Sequence, residues 1–248
     1  MSGHSKWSTI KRQKQSRDLE RGKLFSKLAK AISIAAKTGG SHDTDANPKL
    51  RVAVETAKIA NMPKDNIERA IQRGADAGEN LEEITYEGFG PGGVAVIVEV
   101  ATNNRNRTGQ EIKNFFERGG GRLAGPNSVS FNFDSKGLLV LKKESGSEDQ
   151  MLKLIDAGVE DLEETGDAIE VYVSPDKLSL MRDKISQLGF AILSYEFVLK
   201  PKNLHLINES SVAKQILTFL EELENHDDVQ KVSVNLDIPQ VVLDQIKS

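Results

Sequence analysis

The N-terminal part of the chain has apolar residues at the spacing of an amphipathic helix. Between Arg21 and Lys37 they recur every three or four positions, and the lysines of this stretch fall on a different face. Gly39-Gly40 ends the pattern, since glycine favours the end of a helix. The first element is therefore predicted as a helix with an apolar inner face and a basic outer face.

Two further helices are predicted before residue 76. Asn47 suits a helix N-cap and Pro48 the first helical position, so the second helix begins there. Pro63 ends it and begins a short third helix, which Gly74 closes. The three helices predict a small helical domain. Its first 20 residues are too polar for a core, and we expect them to form a mobile arm.

After a polar linker the apolar positions follow the period of strands. Strands are predicted over 84–89 and 94–100, a helix over 107–118, and a third strand through Val129, Phe131 and Phe133. The next segments predict a strand, a helix, two strands, a helix and a strand, which is the ferredoxin-like order. Their predicted positions are 138–141, 149–156, 159–162, 169–173, 175–188 and 190–199. A helix over 211–223 and a strand over 229–236 remain.

Each predicted sheet needs helices to cover its apolar face, and the first set of strands is one helix short. We therefore predict an α+β protein with a small N-terminal helical domain followed by two ferredoxin-like α/β sandwich domains, one inserted in the other. The predicted boundaries are 1–76 for the basic helical domain with its flexible arm, 77–134 plus 203–240 for the discontinuous α/β domain, and 135–202 for the inserted ferredoxin-like domain.

Composition changes this picture mainly through the distribution of charge. The formal net charge is −4. Residues 1–75 hold 16 Lys/Arg and 7 Asp/Glu, a net of +9, whereas the remaining 17 Lys/Arg and 30 Asp/Glu give −13. A basic module joined to an acidic body is typical of proteins that bind a polyanion, because neutralising phosphates releases condensed counterions. We therefore expect nucleic acid as the partner.

Several other classes of protein are disfavoured. The chain has no cysteine, which excludes disulfides, thiolate metal sites and cysteine nucleophiles. GFGPGG at 88–93 matches a dinucleotide fingerprint, but a strand follows it, so a tight hairpin is predicted instead. The loop from His42 to Asp45 could hold a cation, but a solvated turn before the second helix explains it better. We predict no enzymatic activity, cofactor, metal or small-molecule substrate.

Two segments carry candidate chemistry. GHSKW at 3–7 has the only tryptophan, Trp7, in a polar and basic stretch, where an exposed indole can stack on a base. A disordered solubilising tail is the alternative interpretation, and binding is favoured over it. NNRNRT at 103–108 lies between a strand and a helix, and Asn106 or Thr108 could cap that helix. The arginines could instead bind a phosphate at the helix N-terminus, and both interpretations stay open.

Motifs along nearly the whole chain are similar to those of the YebC/PmpR family, which includes the mitochondrial translational activator of cytochrome oxidase. They are GHSKW at 3–7, RGKLFSKL at 21–28, AAKTGG at 35–40, DANPKLR at 45–51, NMPKDNIERAI at 61–71, YEGFGPGG at 86–93 and NRNRT at 104–108. The resemblance implies a helical N-terminal domain with two α/β domains. It also implies either of two roles, DNA-binding transcription regulation or relief of ribosome stalling at proline-rich stretches. Asn103 and Asn127 depart from the family pattern.

We therefore predict a non-enzymatic, cytoplasmic nucleic-acid-binding factor in gene expression, a DNA-binding transcriptional regulator of the YebC/PmpR type. The alternative is a ribosome-associated translation factor that binds ribosomal RNA. A third interpretation is a protein-binding module whose basic arm only confers solubility. No membrane contact is expected, because no apolar run approaches the roughly 18 residues that span a bilayer. We expect a monomer.

The predicted nucleic-acid contacts are basic or aromatic side chains near the front of the chain and at the NNRNRT segment. They are His4, Lys6, Trp7, Lys11, Arg12, Lys14, Arg17, Arg21, Lys23, Lys27, Lys30, Arg105 and Arg107. The lysines and arginines would bind phosphates and Trp7 would stack on a base. The hypothesis requires that these cations are not already paired with the chain's own carboxylates.

Overall fold

The computed structural model describes residues 19–75, 81–144, 146–159 and 161–247. Its helices are α1 Leu19–Thr38, α2 Pro48–Ile59, α3 Lys64–Ala75, α4 Arg105–Arg118, α5 Ser147–Asp156, α6 Leu178–Gln187, α7 Ser210–Asn225 and α8 Gln240–Lys247. Its strands are β1 Glu82–Phe89, β2 Ala95–Thr102, β3 Arg122–Ala124, β4 Phe133–Lys142, β5 Asp161–Thr165, β6 Ala168–Val173, β7 Ile192–Pro201, β8 His205–Leu206, β9 Val229–Val234 and β10 Leu236–Asp237. None of the described helices combines the length and apolar character needed to cross a membrane.

The first three helices pack around a common core, as the apolar spacing predicts. Ile32 of α1, Leu50 and Ala57 of α2 and Ala70 of α3 are fully buried together. Because α1 turns its apolar stripe into this core, its lysines are left on the outer side. The predicted cap is confirmed, since the Asn47 side chain accepts a hydrogen bond from the backbone N–H of Leu50 at 3.0 Å.

The first sheet has the strand order β3-β1-β2-β9, with antiparallel neighbours. Helices α4, α7 and α8 cover one of its faces, and residues such as Ile112, Phe116 and Leu220 are buried beneath them. The strand β9 comes from the far end of the chain, after the second sheet has been completed. This long return brings the loop between α7 and β9 beside the N-terminus of α4.

The second sheet has the order β5-β6-β4-β7, all antiparallel, with α5 and α6 on one face. This is the order of a ferredoxin-like βαββαβ unit, as the sequence pattern predicts. Val52 of α2 joins the same core, and the Thr56 hydroxyl donates to the carbonyl of Tyr195 in β7 at 2.5 Å. The helical part therefore packs directly on the second sheet.

The GFGPGG segment is a hairpin turn between β1 and β2, which confirms the prediction. The N–H of Gly90 donates to the carbonyl of Val94 at 2.8 Å, and a 3₁₀ turn fills the space between them. Gly92 and Gly93 have φ angles of 68° and 82°, which suit glycine and few other residues. No helix N-terminus follows the turn, so the dinucleotide interpretation does not apply.

The predicted third strand through Val129, Phe131 and Phe133 is wrong for Val129 and Phe131, whereas Phe133 is the first residue of β4. Residues 130–132 form a 3₁₀ turn, and the side chain of Phe131 is 71% exposed. The buried carboxylate of Glu87 accepts hydrogen bonds from the N–H groups of Asn127, Val129 and Ser130, so these groups are not available to a strand. The third strand is β3 instead, which pairs with β1.

The short parallel pair of β8 and β10 and the helix α8 are further elements that the sequence pattern did not predict. The exact domain boundaries stay a prediction.

Candidate nucleic-acid interface

The basic face of α1 is divided between exposed and half-buried side chains. Arg21 and Lys23 are exposed near its N-terminus. Lys27 and Lys30, which follow on the same side, are half-buried, because this part of α1 lies against the end of α7. The Lys27 Nζ donates to the carbonyl of Glu224 at 2.5 Å.

A groove of about 1040 Å³ separates the helical part from the first sheet domain. Among the described residues that line it, four are cationic, namely Lys23, Lys30, Arg73 and Arg107. The acidic side chains along the described part of its lining are Glu111, Asp227 and Asp228. The groove is thus of mixed charge, with exposed cations such as Lys23 and Arg73 at its wall.

The N-terminus of α4 forms one end of this groove. Its cap is Asn104, whose side chain accepts from the N–H of Arg107 at 3.1 Å, so the predicted caps Asn106 and Thr108 are wrong. Asn106 lies within the first turn of the helix and Thr108 is fully buried. Arg105 is exposed in the same turn. A helix N-terminus favours an anion, and the arginines add charge to this effect.

Asp228, in the loop between α7 and β9, is the central acceptor of the groove. One carboxylate oxygen lies 2.8 Å from the Lys30 Nζ, and the other lies 2.9 Å from Arg107 Nη2 and 2.7 Å from the Thr108 hydroxyl. Burial alone would raise the pKa of Asp228, but hydrogen bonds from Lys30, Thr108 and Arg107 outweigh it and hold that pKa well below its ordinary value. Asp228 is therefore ionised at neutral pH.

Three of the predicted contacts are already engaged within the chain. Lys30 and Arg107 are paired with Asp228, and Lys27 donates to a backbone carbonyl. For Lys30 and Arg107, the expectation of unpaired cations is wrong. The reason is that α1 and α4 converge on one carboxylate, which the sequence order gives no sign of.

The arm residues lie outside the part of the chain that the structure describes. They are His4, Lys6, Trp7, Lys11, Arg12, Lys14 and Arg17. Their proposed contacts with nucleic acid, and the predicted mobility of the arm, stay predictions.

One group of side chains has the composition of a metal site. Ligand atoms of Glu111, His226 and Asp228 lie within 4.8 Å of one another. His226 Nδ1 accepts from the N–H of Asp228 at 3.1 Å, which leaves Nε2 to face the Glu111 carboxylate at 2.9 Å. The Asp228 oxygens are occupied by Lys30, Arg107 and Thr108. These contacts use the candidate ligand atoms, so the group is explained by hydrogen bonding and does not fit a resident cation.

Sequence reasoning missed Asp228 and Arg73. Asp228 follows another aspartate in a short loop, which is the pattern of a solvated turn. It is separated from Arg107 by 121 positions and from Lys30 by 198. The sequence predicts a helix before this loop and a strand after it, which places Asp228 at one end of the sheet. The sequence offers no other indication of its role.

Comparison with known proteins agrees with this architecture. Residues 5–77 match the family model of the TACO1/YebC protein N-terminal domain, and residues 81–236 match that of the TACO1/YebC second and third domain. A probable transcriptional regulatory protein from Dictyoglomus turgidum is 47% identical over 99% of this chain and 100% of its own. One from Geobacillus kaustophilus is 46% identical over 96% of this chain and 98% of its own.

A solved structure has the same fold. The crystal structure of a conserved hypothetical protein from Aquifex aeolicus superposes with a TM-score of 0.84 at 40% identity, covering 90% of this chain and 93% of that one. The names of these families and relatives are those of regulatory factors rather than of enzymes. Because the two family models together span nearly the whole sequence, this chain belongs to the TACO1/YebC family.

Proposed function

We propose that this protein regulates transcription by binding the sugar–phosphate backbone of duplex DNA through its N-terminal helical domain and the first turn of α4. The observation that carries the proposal is the exposed cationic surface beside the groove. Arg21 and Lys23 on α1 and Arg105 on α4 are exposed, and each belongs to an element that borders the groove. We call these three side chains the exposed cation set.

The exposed cation set suits phosphate. Lysine and arginine at exposed positions neutralise phosphates and release counterions, a contribution that does not depend on base sequence. The rest of the chain carries the −13 excess, so like charge keeps it away from the polyanion. We expect contact to be confined to the helical domain and the adjacent first turn of α4. The relatives named as probable transcriptional regulatory proteins support DNA as the target.

Ribosomal RNA is the second candidate target, and one observation favours it. The sequence of α1, LERGKLFSKLAKAISIAAKT, has no Asn or Gln, the side chains that pair with adenine edges in the major groove. Its cations are one arginine and four lysines, which suit phosphates better than bases. A translation factor on ribosomal RNA needs backbone contacts and no reading of a DNA sequence.

Salt-dependent binding tests the exposed cation set. The affinity for a fluorescent 30-base-pair duplex is measured between 50 and 300 mM KCl. For Arg21→Glu with Lys23→Glu we expect weaker binding and a logarithmic salt slope shallower by about 2, since each lost phosphate contact removes about 0.9. The matched control is Lys142→Glu with Lys153→Glu, which makes the same charge change at exposed positions of the second sheet domain. Equal effects of the two double variants would reject the site.

The arm and the choice of nucleic acid need separate measurements. Charge reversal at Lys11, Arg12 and Lys14 is expected to make the logarithmic salt slope shallower still, and an unchanged slope would remove the arm from the interface.

Gel shifts on promoter and scrambled DNA are compared with cosedimentation of the protein with ribosomes at moderate salt. Sequence-selective shifts without cosedimentation support the DNA role, and cosedimentation without selective shifts supports the RNA role.

A further inference from the structure

The arrangement around Asp228 has the composition of a site for a tetrahedral oxyanion. An ammonium group, a guanidinium group and a hydroxyl group, from Lys30, Arg107 and Thr108, donate to the two oxygens of one carboxylate. Arg107 and Thr108 belong to the first turn of α4, where the helix dipole also favours negative charge. Such donors bind phosphate oxygens throughout proteins. In this structure they surround a carboxylate of the chain itself.

The site joins two separate parts of the molecule. Lys30 belongs to α1 of the helical part, whereas Arg107 and Thr108 belong to α4 of the first sheet domain. The Asp228 side chain is only 7% exposed, while those of Lys30 and Arg107 are 26% and 50% exposed toward the groove. A ligand that enters the groove therefore reaches the two cations before it reaches the carboxylate.

The backbone of Asp228 is held by hydrogen bonds that do not involve its carboxylate. Its carbonyl accepts from the N–H of Ala101 in β2 at 2.8 Å, and its own N–H donates to His226 Nδ1. Displacement of the carboxylate therefore breaks neither of these two backbone hydrogen bonds. The Lys30 amine also donates to the carbonyl of Asp227 at 3.0 Å, so it keeps one partner if Asp228 departs.

We infer that Lys30, Arg107 and Thr108 form a binding site for one phosphate group, and that Asp228 occupies this site as an internal substitute until a backbone phosphate displaces it. The inference rests on the proposed function for the origin of the phosphate. Asp228 then acts against nucleic-acid binding, since each binding event must break its pairs with Lys30 and Arg107. It also holds α1 against α4 in the unbound protein.

The anion site itself can be tested without nucleic acid. Asp228→Ala leaves two cations and a hydroxyl group around an empty space, so inorganic phosphate is expected to raise the thermal unfolding temperature of this variant saturably. The comparison is with chloride at equal ionic strength. Asp227→Ala is the control, because Asp227 lies next to it in the groove with an exposed side chain. An equal phosphate effect on wild type and both variants would overturn the anion site.

The internal competition is tested with neutral isosteres, which also covers the case in which Asp228→Ala does not fold. Asp228→Asn and Asp227→Asn change the net charge equally and in the same groove. If Asp228 competes with phosphate, Asp228→Asn binds the 30-base-pair duplex about threefold to tenfold more tightly than Asp227→Asn, the effect expected for freeing two partly exposed ion pairs. Equal or weaker binding by Asp228→Asn would mean that Asp228 positions the cations and does not compete, which overturns the inference.

These results separate this inference from the proposed function. Phosphate stabilisation of Asp228→Ala together with no binding of DNA or RNA by the wild type would reject the proposed function and retain the anion site. Wild-type binding through Arg21 and Lys23, with no difference between the two aspartate variants, would retain the proposed function and reject the inference.

Discussion

A single buried amide, that of Asn47, joins two helices of the helical part, and its removal gives a quantitative prediction. Asn47 is fully buried between the end of α1 and the start of α2. Its Oδ1 caps α2 by accepting from Leu50, and its Nδ2 donates to the carbonyls of Ala35 at 2.8 Å and Ser41 at 2.7 Å. The fit is close, since a Cβ on Gly39 would lie 2.1 Å from Nδ2. One side chain therefore joins the two helices and the turn between them.

Asn47→Ala removes all three hydrogen bonds. Loss of a helix N-cap costs about 0.5–2 kcal/mol, and a buried acceptor that loses its donor costs about 1–3 kcal/mol. The Ala35 carbonyl keeps a second donor, the N–H of Gly39 at 3.0 Å. The larger loss of hydrogen bonding therefore falls on the Ser41 carbonyl. We expect the free energy of unfolding to fall by roughly 2–4 kcal/mol.

The assay is urea unfolding of the full chain followed by far-ultraviolet circular dichroism, which reports the helices. Asn114→Ala is the control, because Asn114 is an exposed asparagine of α4 whose side chain bonds only to the surface amide of Gln110 among the contacts described. Its loss is expected to stay within about 0.5 kcal/mol. If the two variants lose equal stability, the buried amide does not hold α1 to α2.

Three further predictions concern the sheets. Burial opposes ionisation of Glu87, but hydrogen bonds from three backbone N–H groups outweigh burial and lower the pKa of Glu87. The ionised carboxylate therefore stabilises the fold at neutral pH, and this contribution is lost as the pH falls through the folded-state pKa. The free energy of unfolding of Glu87→Gln, measured in urea, should differ most from that of wild type near neutral pH. Burial raises the pKa of Glu99, so its contribution to stability is lost as the pH rises through the folded-state value. Glu99→Gln should therefore gain stability relative to wild type as the pH rises from acidic toward neutral in the same assay. In Gly88→Ala a Cβ would lie 2.5 Å from the Phe116 ring, and thermal unfolding should show a loss of about 1–3 kcal/mol, whereas Gly125→Ala, with open space around it, should lose less than about 0.5 kcal/mol.

The parts of the fold that the sequence predicts are those decided by neighbouring residues. The cap of α2 depends on Asn47 and the residue after it, and the hairpin depends on Gly92 and Gly93, whose φ angles are positive. The order of the second sheet follows from the alternation of helical and strand periods, since a βαββαβ unit has few ways to pack.

The wrong predictions concern contacts between side chains that are far apart in the sequence. Val129 and Phe131 alternate with polar residues as a strand would, yet the carboxylate of Glu87, some 40 positions earlier in the chain, accepts hydrogen bonds from the N–H groups of Asn127, Val129 and Ser130. The prediction that Lys30 and Arg107 are unpaired is wrong for the same reason. Asp228 contacts them only because β9, near the end of the chain, pairs with the first sheet. Patterns among neighbouring residues do not predict such contacts.

Charge counting and geometry therefore give different expectations for binding. The basic N-terminal segment and the NNRNRT arginines provide six candidate contacts among the described residues, and if each neutralised one phosphate of B-DNA the salt slope from them would be about −5.4. Lys27, Lys30 and Arg107 are engaged within the chain, which leaves Arg21, Lys23 and Arg105 and a slope of about −2.7. Two of the three engaged cations are held by Asp228 in the loop before β9, and the third by the carbonyl of Glu224 at the end of α7. Because Asp228 holds two of these cations, the number of phosphates that the protein can neutralise depends on where that carboxylate lies.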